Sequence, residues 1–415
     1  MFRRRGARDP VACCSPPGAD DPSDDHASTT DPSGPSMTRR SLLGSAIAGT
    51  GLVAATAAGC AASDQQTAGP LATPVNPILP LRGAQPRDTS LTLLGTSGGP
   101  QADYVRTVTS TVLTVEGQNY VIDCGRASVT QYINAGLEFK ALKAMFITHL
   151  HADHLADYYN YFLLEGGEPN GEGDNLAGPL TVYGPGPAGA LPPMPTPPVA
   201  TIAPQSPTPG IKELTARLNE GYAYSYNVFM RGIGTRDVES LQDVREIVVP
   251  PVGATPQNTA PTMAPFAIYE DDRVRVSAIL VSHGAVFPSF AYRFDTAKGS
   301  VVFSGDTKYS ENVIRIAQGA DVLVHEVINL ELIQRFGHTT PALMTHLEDS
   351  HTTTSQVGQV ATRAGVGQLV LTHLVPSNPL QIPDAVWHAQ CSADYRGPVH
   401  VGNDMDRITW APRRR

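Results

Sequence analysis

The stretch AMFITHLHADHLADYYNYF, residues 144 to 162, places three histidines and an aspartate within six positions directly after an apolar run. The chain has only 12 histidines in 415 residues. Residues 144 to 147 have the pattern of a buried strand, and Thr148 ends that strand. A loop that leads into a helix is predicted next, and it carries His149, His151, Asp153 and His154. Four such side chains are costly to bury together unless a cation pairs with them.

This cluster has the donor atoms of a metal site. Imidazole nitrogens and carboxylate oxygens suit a borderline ion such as zinc. The spacing lets one loop direct His149 and His151 at one ion, and Asp153 and His154 at a second. Histidines that only cap a helix or lie satisfied in a core would account for one or two of these residues, but not for all four. We therefore predict a metal site at the end of this strand.

Four later polar residues also end apolar strands. His283 follows AILVS, Asp306 follows VVFSG, Glu326 follows DVLVH and His373 follows QLVLT. Taken singly, each residue fits a loop position that bonds the backbone equally well. Taken together, they supply a third ligand for each ion and a carboxylate that bridges the two. Strand patterns followed by helices occur twice along the chain, which predicts a layered α/β domain containing two sheets.

Composition and net charge argue against several classes of function. The chain is 41% hydrophobic and 17% charged, as expected for a globular protein, and its net charge is -9. Nucleic-acid-binding proteins usually carry a basic surface, and none is visible in this sequence. There is also no Walker or dinucleotide-binding motif.

The front of the chain differs from the rest. Residues 1 to 36 are rich in Asp, Pro and Ser, which predicts disorder or a wrongly assigned start. MTRRSLLGSAIAGTGLVAATAAGCAAS begins at Met37, and its twin arginines before small apolar residues predict a twin-arginine export signal over 37 to 60. Cys60 lies in a lipoprotein-like AAGC box, so the signal is either cleaved without lipidation or anchors an acylated Cys60. Both alternatives place the mature protein outside the cytoplasm, in the cell envelope or secreted.

A linker over 61 to 89 leads to one predicted domain over 90 to 412, with an insertion over 185 to 265. Ten prolines between positions 185 and 209 predict loop or surface arm. Residues 210 to 232 then have helical spacing and a cluster of aromatic side chains. This helix either packs its own aromatic face or forms a lid or a dimerisation arm, so a homodimer is one alternative. The domain contains two cysteines, Cys124 and Cys391, and the sequence leaves their pairing undecided.

These motifs resemble the metallo-β-lactamase fold family, through THLHADH (148 to 154), SHG (282 to 284), SGDT (304 to 307) and THL (372 to 374). The motifs LLGTSGGP, DCG, VYGPGP, FAYRF, HEV and HTT are similar to those of the ribonuclease Z branch and its arylsulfatase and phosphodiesterase relatives. The resemblance covers about residues 90 to 410 and is weakest from 185 to 265. It implies a four-layer αββα sandwich, here with a Pro-rich insertion.

The resemblance also implies a dinuclear site. One zinc ion would bind His149, His151 and His283; the other would bind Asp153, His154 and His373; Asp306 would bridge them together with a hydroxide. Other divalent ions such as Mn²⁺ are alternatives. Asp153 is also counted among the catalytic residues, with His351 as the acid that protonates the leaving oxygen and Glu326 as the carboxylate that orients it. Alternatively, this pair only positions the ligands. His325 and His346 are interpreted as structural.

Two departures bear on the substrate. Ribonuclease Z enzymes carry a basic arm for transfer RNA between the FAYRF strand and SGDT, where this chain has only DTAKGS, and Arg126 stands where an acidic residue usually follows DCG. We therefore expect an exported zinc hydrolase that acts on a small phosphodiester or aryl sulfate ester. Nucleic acid is not the expected partner, and the membrane is contacted only through Cys60. The alternatives are a lactonase or β-lactamase-type acyl hydrolase, a ribonuclease Z-like nuclease, and a surface binding protein that keeps the metals for stability.

Overall fold

Two sheets of seven strands each form the core of the computed structural model, which describes residues 83–99, 105–166, 173–337 and 339–412. The predicted leader, the export signal and most of the linker lie outside these residues. The strands are β1 (Ser90–Gly95), β2 (Ser110–Val115), β3 (Gln118–Ile122), β4 (Leu142–Phe146), β5 (Leu180–Pro185), β6 (Gln242–Ile247), β7 (Phe266–Glu270), β8 (Val274–Leu280), β9 (Phe290–Thr296), β10 (Gly299–Phe303), β11 (Val322–Ile328), β12 (Gln368–Val375), β13 (Val399–Val401) and β14 (Arg407–Ile408).

The helices occupy the connections between these strands. They are α1 (Ser128–Asn134), α2 (Ala152–Leu155), α3 (Ile211–Gly221), α4 (Ala223–Gly232), α5 (Glu311–Ile316), α6 (Leu330–Phe336), α7 (Pro341–Ser350), α8 (Thr354–Ala364) and α9 (Asp384–Ser392). The best-defined ends belong to α8, which begins with a capping box between Thr353 and Gln356 and ends at Gly365 with a φ of 63°.

The layers follow from which side of each strand is apolar. The first sheet has the order β14-β1-β2-β3-β4-β5-β6, and the second has the order β13-β12-β11-β10-β9-β8-β7. Leu91 and Leu93 face the core between the sheets, whereas Leu94 packs with α1 and α3 on the outer side of the first sheet. Helices α5, α8 and α9 cover the second sheet. The predicted α/β sandwich is therefore confirmed.

Strand direction decides where the polar strand ends meet. Strands β3 to β6 are parallel neighbours in the first sheet, and β10 to β13 are parallel neighbours in the second. The carboxyl ends of parallel strands lie at one edge of a sheet, which is where α/β proteins collect their sites. The polar residues that follow β4 and β10 meet those of β11 and β12 at one end of the sandwich, where their side chains form clusters.

The segment over 185 to 265 contains regular structure. Residues 242 to 247 form β6, which pairs in parallel with β5 at the edge of the first sheet. The helical stretch over 210 to 232 is divided at Tyr222 into α3 and α4. The ring of Tyr222 stacks on that of Tyr159 with centroids 5.2 Å apart, and Tyr226 is buried, so part of the aromatic cluster packs onto the segment that follows the metal motif. Tyr224 remains 85% exposed.

Cys124 and Cys391 are both buried and free, so they form no disulfide with each other. Within the described residues, no helix has the length and apolar character needed to cross a membrane.

Candidate metal centre

Seven predicted ligands from four strand ends converge in two adjoining clusters. His149, His151 and His283 form the first; Asp153, His154, Asp306 and His373 form the second. In each cluster, one donor atom per residue lies within 4.8 Å of those of the others. All of these side chains are buried except that of His151, which is half-buried. The structure thus brings together every residue of the predicted ligand set, and their assignment as ligands stays a prediction.

The first cluster has its imidazoles fixed with nitrogen atoms facing one another. Nε2 of His283 lies 3.1 Å from Nδ1 of His151. Nδ1 of His283 lies 2.8 Å from the backbone carbonyl of Ser350, to which it donates, so its Nε2 carries the lone pair. Nε2 of His149 is buried and has no hydrogen-bond partner among the described residues. Buried lone pairs that converge without a donor fit a bound cation.

Asp123 orients two histidines, and sequence reasoning did not identify it as a functional residue. Its carboxylate accepts from the backbone N–H and the hydroxyl of Thr148, both at 2.8 Å, and lies 2.8 Å from Nδ1 of His154. The same hydroxyl lies 3.1 Å from Nδ1 of His149 and accepts from it. Both histidines therefore turn Nε2 towards the site, as in carboxylate-histidine-metal arrangements. The backbone of Asp123 is left-handed, with a φ of 58°.

Asp306 joins the two clusters. Its Oδ2 atom lies 3.1 Å from Nε2 of His373 and 3.3 Å from Nε2 of His154, in the second cluster. The same oxygen lies 3.8 Å from Nε2 of His283 and 3.9 Å from Nε2 of His149, in the first. One carboxylate oxygen thus faces four imidazoles, which is the position that a bridging ligand requires. The preceding Gly305 has a φ of 57°, and a Cβ there would lie 2.5 Å from a backbone oxygen, so this turn needs glycine.

Asp153 and His373 complete the second cluster. Oδ2 of Asp153 lies 3.4 Å from Nε2 of His373 and accepts from the backbone N–H of Gly99 at 3.1 Å. His373 has a left-handed backbone with a φ of 46°, a conformation that costs energy in a residue other than glycine. Gly99 and Ser350 orient Asp153 and His283 through backbone groups, which the residue types in the sequence do not reveal.

Without a bound metal, the pKa values of the buried histidines are shifted in opposite directions in the two clusters. Burial, with neighbouring imidazoles, lowers the pKa of His149 well below its usual value, and burial lowers that of His283 to about 3. Burial also disfavours the charged form of His373, but the carboxylate of Asp306 outweighs it and raises the pKa to about 10. In return, the imidazoles of His373 and His154 hold the pKa of Asp306 well below its usual range. Cations bound at the second cluster would displace protons from His154 and His373.

The donor set fits divalent metal ions. Neutral imidazoles in the first cluster and two carboxylates with two imidazoles in the second are the ligands that zinc accepts. The fit is also supported by the hydrogen bonds on the far side of His154 and His283, which fix the tautomer that presents Nε2 to the site.

His351 and Glu326 form a third element beside both clusters. Nδ1 of His351 lies 3.1 and 3.2 Å from the two carboxylate oxygens of Glu326. Oε1 of Glu326 also accepts from the backbone N–H groups of Thr307 and Thr352. Burial lowers the pKa of His351, but the Glu326 carboxylate outweighs this and leaves the pKa raised. The ring lies 5.0 Å from that of His283 and 5.6 Å from that of His373, so the imidazole stands between the clusters.

The two histidines interpreted as structural differ in position. His325 is fully buried, with Nδ1 2.7 Å from the backbone oxygen of Glu326. His346 is exposed on α7.

Two family models match the chain. A model described as a beta-lactamase superfamily domain matches residues 236–374, and one described as anti-Pycsar protein Apyc1 matches residues 89–158. The first contains His283, Asp306 and His373, and the second contains the THLHADH motif, residues 148 to 154.

Curated relatives match this chain over nearly their whole length. Ribonuclease Z of Mycolicibacterium gilvum (strain PYR-GCK) is 30% identical over 323 residues, which cover 78% of this chain and 96% of that protein. Ribonuclease Z of Mycobacterium bovis (strain BCG / Pasteur 1173P2) is 28% identical over 325 residues, covering 78% and 99%. The crystal structure of human tRNase Z, short form, matches 77% of this chain and 98% of its own with a TM-score of 0.50 and 20% identity, which shows a common fold.

Proposed function

Because this chain belongs to the ribonuclease Z branch of the metallo-β-lactamase superfamily, a group of metal-dependent hydrolases, we propose that it hydrolyses small phosphodiesters or aryl sulfate esters with two zinc ions. The observation that carries the proposal is the position of Asp306, whose Oδ2 lies within 3.9 Å of imidazoles from both clusters. A shared carboxylate supports a dinuclear centre over a mononuclear one.

The ligand assignment follows the two clusters. His149, His151 and His283 would hold one ion, and Asp153, His154 and His373 the other, with Asp306 between them. Two ions held in this way supply a water of lowered pKa and neutralise charge that develops on the ester. Asp153 would also help to orient that water, because its Oδ2 atom faces the same space as Oδ2 of Asp306.

The chain's own contribution to bond cleavage would be a proton for the leaving oxygen. Glu326 accepts from Nδ1 of His351, so Nε2 of the imidazolium is left to donate. Two backbone N–H groups donate to Oε1 of Glu326 and hold its carboxylate against Nδ1 of the imidazole. Alkoxide and phenoxide leaving groups need such an acid. The lactonase and β-lactamase alternative is disfavoured instead by the relatives that match over nearly their whole length, which are named ribonuclease Z.

The connection between β9 and β10 bears on the size of the substrate. Thr296 pairs with Gly299 across a two-residue turn, so this position holds a tight hairpin and no arm for transfer RNA. The net charge of -9 also disfavours a polyanionic partner. The second candidate function is a ribonuclease Z-like nuclease, and it is favoured by the relatives of that name that match over nearly their whole length.

A substrate comparison separates these candidates. We expect the purified protein to contain about two zinc ions per chain and to turn over bis-p-nitrophenyl phosphate or p-nitrophenyl sulfate faster than a simple lactone, because two metal ions would neutralise the charge on a phosphoryl or sulfuryl group. A transfer-RNA precursor with a 3′ extension should remain uncut. Cleavage of the precursor would support the nuclease instead. Two bound ions with no turnover of any ester would support a surface binding protein.

The Pro-rich arm, residues 187 to 209, is proposed to set substrate range. Strands β4 and β5 are parallel neighbours. The segment after β5, which leads into the arm, therefore begins at the same sheet edge as the loop after β4, which contains His149 and His151. The arm is open to solvent, with Leu191 47% and Ile202 86% exposed. Exposed loops at such an edge commonly contact substrate.

Removing residues 187 to 209 should leave zinc content unchanged while altering the KM by roughly threefold or more, since the arm contains no predicted ligand. The chain can be rejoined directly: a Cβ built on Gly210 would lie 2.8 Å from the carbonyl carbon of Gly186. Replacing the same residues with Gly and Ser at equal length separates loss of side chains from shortening. Loss of zinc on deletion would show that the arm belongs to the core.

Export is a further part of the proposal. The twin arginines at 39 and 40 and the AAGC box ending in Cys60 support a mature protein in the cell envelope or outside the cell, with or without a lipid on that cysteine.

A further inference from the structure

The loop over residues 96 to 99, here called the glycine loop, lies against the second cluster. The N–H of Gly99 donates to Oδ2 of Asp153 at 3.1 Å. A Cβ on Gly98 would lie 2.3 Å from Nδ1 of His373, so the backbone itself packs on that imidazole. The N–H of Leu374 donates to the carbonyl of Thr96, and the N–H of Gly98 donates to the carbonyl of Leu374. The glycine loop therefore supports two of the three residues assigned to the second ion.

A buried arginine holds this loop from behind. Arg106 is only 4% exposed, and its Nη1 donates to Oγ1 of Thr96 at 2.7 Å and to the carbonyl of Gly402 at 2.6 Å. Its Nη2 pairs with Asp384 at 3.2 Å. The hydroxyl of Thr96 in turn donates to Asp404 at 2.7 Å. Thr96 thus stands between a buried cation and a carboxylate, and both of its hydrogen bonds are charge-assisted.

The first cluster has separate supports. His149 is oriented by Thr148, and His283 by the backbone carbonyl of Ser350. Within the described part of the chain, the side-chain hydrogen bonds of Arg106, Thr96 and Asp404 join these residues to one another and to Thr107, Asp384 and Gly402, and not to these groups. A disturbance of the glycine loop would therefore reach Asp153 and His373 before it reached His149, His151 or His283.

We propose that Arg106, acting through Thr96, is a positioning residue that sets the metal affinity of the Asp153–His154–His373 site selectively. The inference rests on the proposed function, because it uses that ligand assignment. Its physical basis is the rigidity of the glycine loop: a loop that shifts by a few tenths of an ångström weakens the Gly99 hydrogen bond that fixes Asp153. Groups that orient a ligand without touching the metal typically change metal affinity by about 10- to 100-fold.

The test is a zinc titration of the metal-free full chain against a competing chelator. The wild type should show two binding steps, and His373→Ala should identify the step that belongs to the second cluster. We expect Thr96→Val, which keeps the shape and removes the hydroxyl, to weaken that step about 10-fold and leave the other unchanged. Arg106→Lys, which keeps the charge but loses the forked contacts, should do the same.

A matched control is available on β1, the strand that leads into the glycine loop. Thr92 is 1% exposed in β1, and its hydroxyl is buried with no hydrogen-bond partner among the described residues, so Thr92→Val should leave both steps unchanged. Equal weakening of both steps in Thr96→Val, no weakening, or the same selective loss in Thr92→Val would overturn the inference. None of these outcomes contradicts the proposed function. That proposal is contradicted if zinc binding to the wild type does not show two steps.

Discussion

Asp306→Ala should lower the zinc content well below two per chain and reduce ester hydrolysis by at least about 10³-fold. Oδ2 of Asp306 faces imidazoles of both clusters. It lies 3.1 and 3.3 Å from Nε2 of His373 and His154, and 3.8 and 3.9 Å from Nε2 of His283 and His149. Without this carboxylate, four imidazoles face one another with no shared negative charge, so two cations cannot be held close together. The measurement is elemental analysis of the purified variant alongside its turnover of bis-p-nitrophenyl phosphate.

Two companion variants sharpen this experiment. Asp306→Asn keeps the volume but removes the charge, so it should lose activity nearly as fully as the alanine variant. Asp295→Ala is the matched control, because Asp295 lies on β9 paired with Arg293 at the surface and belongs to neither cluster. Retained turnover with full metal occupancy in Asp306→Ala would contradict the dinuclear assignment.

The predicted metal ligands could be recognised from the sequence, but the groups that orient them could not. His149, His151, Asp153 and His154 are neighbours in the chain, and each of the other predicted ligands directly follows or ends an apolar strand. Such positions are predictable because strand periodicity places them at a sheet edge. The groups that orient these ligands were not predictable in the same way. Asp123 meets His154 across 31 residues, and the partner of His283 is a backbone carbonyl 67 residues away, which no residue type marks.

The fold was predictable to a similar extent. Strands rich in Val, Leu and Ile in both sheets matched their patterns closely, as in β8 and β12. Strand β6, QDVREI, has mostly polar side chains and only one buried residue, because it lies at a sheet edge. Its place in the sheet comes from parallel pairing with β5, a long-range contact that a local pattern does not encode. Helix α7 was not predicted from the sequence; it is largely exposed, so burial of an apolar face does not define it.

His351→Ala should slow hydrolysis of an alkyl phosphodiester by about 10²- to 10⁴-fold, the usual contribution of a general acid. A nitrophenyl ester should be slowed much less, because nitrophenoxide leaves without a proton. The geometry supports this role: Glu326 takes Nδ1 of the imidazole, and the ring lies between His283 and His373. The measurement is kcat on a series of esters with leaving groups of increasing basicity.

Glu326→Gln should show the same ordering of substrates with a smaller loss, because the amide still accepts hydrogen bonds but no longer favours the imidazolium. Zinc content should stay near two per chain in both variants, since neither residue is an assigned ligand. His388→Gln, an exposed histidine on α9, serves as the control and should leave every rate unchanged. If the losses were equal for good and poor leaving groups while the metals were retained, His351 would act by holding the neighbouring ligands in place. The leaving oxygen would then take its proton from another donor, because a missing acid must slow a basic leaving group more than an acidic one.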